Sequence, residues 1–456
     1  MGTSLTQRLA RHLDRPVSPA DEARAALHLL DWAGCAAAGR VAPAGMALAE
    51  IATAIGSGPA TGIDAPGLSP AAAAFLNGGL GNVLEMDDIH RSSILHPGPV
   101  VIPAALAAAE ACGVDGRALL RALVRGYDAV IRIGAAVGPE HYALWHNTAT
   151  CGPFGAAAAA AAVMGLPFDQ MVWALGNAGT QASGPWQCRH EAVMTKQLHT
   201  ARAAQSGLLA AMLAAKHFSG PAFILEGPQG FFETMAPNGT PEAVMADADA
   251  GQAGWTIWDT SFKPWPACRH AHPTIDAALA LRARGIDGAA ITQIEIESYA
   301  DAIRFCDRAE PQDEMQAKFS LQHAAAIALA EGPPGLDAFG PDAMARSARL
   351  RARCRVAEDA RWTAAFPARY GAAITVTLTD GAQHRAEMPD ALGDPENPVP
   401  PQAIAEKARA LCLSAGWSDA DAARLIGAAL ALPEGGPLSA FTAALSPDRA
   451  ASEAAE

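Results

Sequence analysis

Along roughly the first 260 residues, apolar positions recur with helical spacing, in runs parted by short segments that carry glycine or proline. One run opens with SPADEARAALHLLDWAGCAAAG. Ser18 stands at the expected N-cap, Pro19 in the first turn, and Asp21 where a capping box needs its partner. The same spacing predicts helices over 46–57, 69–80, 99–113, 115–137, 152–164, 168–179 and 199–215. Hardly any β-branched alternation interrupts them, so this part is expected to be all-helical.

The pattern changes after WDTSFKPWPACRHAH. A helical stretch, PTIDAALALRAR, precedes AITQIEIESY, whose alternation is that of a strand, and another helix is expected over about 316–331. YGAAITVTLTDGAQHRAEMP then reads as a hairpin turning at Asp380-Gly381. GDPENPVP reads as a turn-rich linker, and amphipathic helix returns from Pro401. The predicted fold is mainly α: a large all-helical domain over 1–266, an inserted smaller α+β lid domain over 267–395, and C-terminal helices over 396–456 that return to the helical domain.

Length alone favours more than one core, since 456 residues exceed an ordinary compact domain. The 47 acidic and 33 basic residues leave a formal charge of −14, which argues against nucleic acid or an anionic membrane as partner. A small anionic substrate stays open, given one locally basic pocket. Eight cysteines are scattered without a CxxC pair, so free thiols in a reducing compartment are expected, with no zinc or iron–sulfur spacing. The first residues, MGTSLTQRLARHLDRP, hold no apolar signal core, and CGPFGAAAAAAAVMGLPF owes its apolarity to alanine, which suits a buried helix better than a membrane span. A cytoplasmic location follows as an expectation. LNGGLGN lacks the strand–turn–helix setting of a dinucleotide loop.

Ionisable residues gather in five places. In EMDDIHRSSILHPGPV, Glu85 and Asp88 would share a helix face with Asp87 turned aside, His90 and Arg91 follow, and His96 stands at a proline-enforced break. HNTATCGPFG places His146 before small, close-packing residues. TKQLHTARAAQSG sets Lys196 and His199 at the start of an alanine-rich helix; that end prefers anions, so a lysine facing a cleft there would help attract a carboxylate. FKPWPACRHAHP carries Lys263, Arg269, His270 and His272 near the proposed domain junction. In KFSLQHAAA, His323 lies on an otherwise apolar helix, where a hydrogen-bonded core histidine is the plainer reading. The plainer readings elsewhere are an acidic helix end with surface histidines and a packed His146.

Taken together, DDIH with HPGPVVIPAALA, HNTATCGPFGAAAAAAA, TKQLHTARAAQSG, FKPWPACRHAHPTIDAAL and KFSLQHAAA resemble, in order, the blocks of the MmgE/PrpD family. The resemblance covers nearly the whole chain. It implies a homodimer whose subunits join a large helical domain to a smaller α+β lid, with a cofactor-free active site between them. That family includes 2-methylcitrate dehydratases, cis-aconitate decarboxylases and an iminodisuccinate epimerase. By resemblance, Glu85, His96, His146, Lys196, Lys263 and His323 are the implied catalytic positions. Substrate contacts are implied for Asp88, His90, Arg91 and His199, and for Cys268, Arg269 and His272. Glu85 stands where an aspartate is usual, Cys268 where some relatives have histidine, and His323 where a tyrosine occurs; the Asp88–His96 spacing also differs by one from the decarboxylase pattern.

The chemistry so implied is proton transfer next to a carboxylate. Lysines and histidines would hold the carboxylates and the charge that develops, and His96, oriented by Glu85 or Asp88, would be the acid–base. The leading expectation is a hydro-lyase resembling the 2-methylcitrate dehydratases. The alternatives are an epimerase using His323 or Lys196 as second base, a decarboxylase of cis-aconitate type, and an inactive dimer that only binds a carboxylate metabolite.

Overall fold

The computed structural model describes residues 2–191, 193–251 and 254–448, and the chain divides into two units, Met1–Thr260 with Pro400–Glu456, and Ser261–Val399. In the first unit the expected helices form at Pro19–Arg40, Pro43–Ile55, Pro70–Leu80, Gly98–Cys112, Gly116–Ala136, Asn147–Val163, Phe168–Gly179 and Thr195–Ala215. At Ser18 the capping box is complete: its hydroxyl accepts from Asp21 N, and the Asp21 carboxylate accepts from Ser18 N at 2.9 Å.

Asn147–Val163 is central, packing against Gly116–Ala136, Thr195–Ala215 and Gly98–Cys112. Its residues are small and almost all buried, which lets neighbouring backbones come close. At Gly207 a Cβ would collide with Ala156 Cβ and lie 2.5 Å from the Pro153 carbonyl. This helix begins five residues before the expected start at 152 and runs through Pro153. Tertiary hydrogen bonds explain the extension: Asn147 Nδ2 donates to Ser93 O at 2.8 Å, and Thr148 Oγ1 accepts from His96 N at 3.0 Å.

A hairpin departs from the all-helical expectation. Ser57–Gly62 and Ala65–Leu68 pair antiparallel with irregular register, in a stretch too rich in glycine and proline to show strand alternation. Side chains from two helices hold this hairpin. Asn77 bonds Ile63 N and Thr61 O, and the Glu110 carboxylate takes Thr61 N at 2.8 Å and its hydroxyl at 2.6 Å.

Pro401–Ser414 packs on Pro19–Arg40, and Lys407 reaches inward to Asp31 and to the Met86 carbonyl. Asp419–Ala431 continues the C-terminal part; residues 449–456 of the 396–456 segment lie outside the described residues. No helix among the described residues is long and apolar enough to cross a membrane.

The second unit carries a four-stranded sheet in the order Cys354–Glu358, Ile291–Ser298, Ala372–Leu378, Gln383–Met388, with the first pair parallel and the others antiparallel. The hairpin turns at Asp380-Gly381 as expected, Asp380 Oδ1 accepting from Ala382 N at 2.9 Å. His272–Ala283 packs on this hairpin and on Leu321–Glu331. Ser320 breaks the helix expected over 316–331: its hydroxyl accepts from His323 N at 3.0 Å and so starts a new helix after Glu314–Lys318. Cys354–Glu358 escapes sequence reading because an edge strand of CRVAE carries too few apolar residues to announce itself. GDPENPVP is more than a linker. Asp394 is buried, pairs with Arg269 and accepts from Ser261 Oγ at 2.6 Å, and Gly393 O accepts from Phe262 N.

The tight helix crossing makes opposite demands on two helical glycines. Gly207→Ala is expected to destabilise by about 1–3 kcal/mol through overpacking. Gly427→Ala, where a Cβ meets nothing within 4 Å, is expected to stabilise by about 0.5–1 kcal/mol. Denaturant unfolding of both variants checks the pair of signs.

Candidate active site

Residues 81–97 form a loop rather than a helix, with Glu85 at φ +59° and Ile94 at φ +48°. Helical spacing therefore does not apply, and the expectation that Asp87 turns aside while Glu85 and Asp88 share a face is corrected. Each carboxylate faces a different way. Glu85 pairs with Lys196 in the first turn of Thr195–Ala215. Asp87 lies 2.8 Å from His96 Nδ1 and accepts from Asn82 Nδ2 at both oxygens, at 2.9 and 2.8 Å. Asp88 points inward to His28 Nδ1 (2.7 Å), Tyr127 OH (2.7 Å) and Gly98 N (2.9 Å).

Asp88 thus caps the Gly98–Cys112 helix, where an anion suits the exposed N–H groups. A Cβ on Gly98 would sit 2.7 Å from that carboxylate oxygen, which explains the glycine of the HPGP break. Burial lifts Asp88 to about 6 and pushes Tyr127 well up, while burial and the nearby Arg24 push His28 well down. His28 is therefore neutral and donates to the carboxylate.

His96 sits at the end of the loop. Its Nδ1 faces Asp87 and, at 3.0 Å, the Asp88 carbonyl, so Nδ1 carries a hydrogen. His146 precedes the Asn147–Val163 helix, with its Nδ1 3.2 Å from His199 Nδ1 and its ring 4.3 Å from Trp186. Burial drives His146 well below the usual histidine range, and the charge of Lys196 adds to it. Burial and Lys196 lower His199 as well. Both rings are neutral near pH 7, one donating to the other, and Lys196 is the local cation. Lys196, His199, His146 and His96 thus act on one another within this unit.

His90 serves the loop itself. Its Nδ1 takes Ser93 N at 3.2 Å and lies 2.8 Å from Ser93 Oγ, and burial with the Arg91 charge pushes it down to about 3. His90 and Leu95 exchange backbone hydrogen bonds that close the turn, and Arg91 is buried beside them. Beneath the loop, Lys407 Nζ donates to Asp31 at 2.6 Å and to Met86 O at 2.5 Å. Burial opposes the Lys407 charge, but Asp31, Cys35 and Asp87 outweigh it, and its pKa lies above the ordinary value. Asp31 itself rises to about 6, chiefly through burial.

The remaining candidates belong to the second unit. Arg269 pairs with Asp394 and donates to His272 Nδ1 and Leu392 O, each at 3.0 Å, while His272 Nε2 donates to Ala267 O at 3.1 Å. These two side chains brace the 391–394 turn. Lys263 is buried, and its charge adds to the burial that holds His270 at about 3. Cys268 lies against the Cys306 thiol, which burial pushes well up. His323 directs Nε2 to Ala338 O at 2.8 Å and Nδ1 to Ser347 Oγ at 3.1 Å, the arrangement of a hydrogen-bonded core histidine.

Sequence reasoning missed Asp87, Asn82, Trp186 and Lys407. The doubled aspartate was a usable signal for Asp87; nothing local marks Lys407, which meets the loop 321 residues away. Among the described residues no group of three or more His, Cys, Asp or Glu side chains is placed to hold a metal ion.

Residues 9–243 match the MmgE/PrpD N-terminal domain and residues 265–432 the MmgE/PrpD C-terminal domain. Among curated proteins, the cis-aconitate decarboxylase-like protein oryM of Aspergillus oryzae is 36% identical over 179 residues, 37% of each chain. Cis-aconitate decarboxylase of Aspergillus terreus is 30% identical over 228 residues, 48% of this chain and 46% of that one. The human cis-aconitate decarboxylase is 28% identical over 357 residues, 75% of this chain and 73% of that one. The chain spans less than half the length of the two fungal relatives it matches.

The Glu85–Lys196 pair yields a double-mutant test. Glu85→Gln and Lys196→Met are expected to be non-additive in denaturant unfolding, with a coupling of roughly 1–3 kcal/mol. A coupling near zero would show that the pair does not form in solution.

Proposed function

Because the chain belongs to the MmgE/PrpD family, we propose that it is a cofactor-free lyase acting on a small di- or tricarboxylate by proton transfer next to a carboxylate. The observation that carries this reading is the Asp87–His96 pair, set in one unit with the cation Lys196 and the neutral His146 and His199. Lys196 would leave Glu85 for a substrate carboxylate, and the neutral imidazoles would offer N–H donors to the charge that develops. His96 would take the α-proton at Nε2, its new positive charge facing Asp87.

A hydro-lyase suits this arrangement, because it needs a free base at the α-carbon and a separate donor for the departing hydroxyl. The sequence blocks are those of the family as a whole, which includes the 2-methylcitrate dehydratases. The names of the relatives favour a second reading, decarboxylation of an unsaturated tricarboxylate such as cis-aconitate, in which protonated His96 would deliver its proton to the carbon that loses CO2. Epimerisation would need a second base; of its two candidates, His323 has both ring nitrogens engaged by Ala338 and Ser347, and Lys196 is paired with Glu85.

Proton and carbon NMR in D2O tests the proposal with citrate, 2-methylcitrate, cis-aconitate, tartrate, malate and both epimers of an N-substituted aspartate. A new alkene from a hydroxy acid is the expected outcome, and CO2 release from cis-aconitate would select the second reading. Deuterium entering an α-carbon with inversion and no alkene would overturn the lyase. His96→Gln is expected to lower kcat on whichever substrate turns over by about 10²–10⁴-fold; an unchanged rate would remove His96 from the chemistry.

A further inference from the structure

We propose that Asp87 is the positioning residue for His96, holding its ring in the tautomer that leaves Nε2 free; this rests on the reading of His96 as the proton-transfer group. Three carboxylates flank the histidine, and the structure separates their tasks. Glu85 pairs with Lys196. Asp88 spends both carboxylate oxygens on His28, Tyr127 and the first turn of Gly98–Cys112, and only its main-chain carbonyl faces His96. The Asp87 carboxylate is left at 2.8 Å from Nδ1.

The surroundings keep Asp87 oriented. Asn82 Nδ2 donates to both of its oxygens, which sets the carboxylate plane. Lys407 interacts favourably with its charge and, by donating to the Met86 carbonyl, pins the backbone one residue before it. Asp87 is 1% exposed, so water offers little competition for the Nδ1 hydrogen. Fixing Nδ1–H with a buried carboxylate aims the other nitrogen's lone pair and prepares the site for the imidazolium formed on proton uptake.

The test reads the ring directly. Protein with 15N-labelled histidine rings gives a His96 signal that is assigned by its loss in His96→Gln. In the wild type the neutral form of the His96 ring is expected to carry its hydrogen on Nδ1. In Asp87→Asn that preference is expected to be lost, kcat to fall about 10²-fold or more with KM changed only a few-fold, and Asp87→Glu to recover part of both. If Asp87→Asn does not fold, Asn82→Ala, which loosens the carboxylate without removing it, is expected to weaken the same preference. An unchanged His96 signal in either variant, whatever happens to activity, would overturn the proposal. The ring signal needs no substrate. If it follows Asp87 while no compound turns over, the proposed reaction fails and the positioning role stands.

Discussion

Several carboxylates a few residues apart cannot leave water together unless each finds its own counter-group, because a buried, unpaired charge costs several kcal/mol and a buried pair of like charges more. The loop from Asn82 to His96 is organised by that constraint. Glu85 is turned to a lysine by a left-handed backbone, Asp87 to an amide and an imidazole, and Asp88 to a phenol, a neutral histidine and a helix N-terminus. A further charged pair, Asp31 and Lys407, lies under the loop and ties it to the C-terminal helix. Every partner is supplied by a different helix or by the loop itself. The loop can hold its shape only when the surrounding bundle is assembled.

The alanine and glycine content of the bundle belongs to the same arrangement. Short side chains let Asn147–Val163 lie close to its neighbours, and that closeness brings Thr148 to His96 N and His199 to His146. The helices thus deliver to the loop one lysine and neutral imidazoles, the latter with little flexible chain between backbone and functional atom. Such rigidity suits a site whose groups must keep their positions as charge moves.

Local signals in the sequence were legible and distant ones were not. The Ser18–Asp21 capping box, the Asp380-Gly381 turn and the helix runs depend on neighbours within four residues, and they form as read. The helix expected over 316–331 breaks at Ser320 because a capping hydroxyl competes with continuation, and apolar spacing does not register that contest. The residues of the candidate site were mostly visible as a set, since ionisable groups stand out in an apolar chain. Their pairing was not. Helical spacing put Glu85 and Asp88 on one face and turned Asp87 aside, whereas the loop, with a positive φ at Glu85, sends Asp87 to His96 and Asp88 inward. Arg269 and His272 were implied as substrate contacts, yet Asp394, set in a segment read as a linker, engages the arginine, which in turn bonds the histidine.

The contact between Lys407 and the Met86 carbonyl also has a consequence in time. The two residues lie 321 positions apart, so at roughly 5–20 residues per second a ribosome makes the loop some 15–65 s before its support. Throughout that interval the acidic loop emerges without the cation that will sit beneath it. The helical bundle above can form first, while the floor of the site waits for the last helices. Assembly of this centre is therefore a late event in the birth of the chain, although most of its candidate residues are made early.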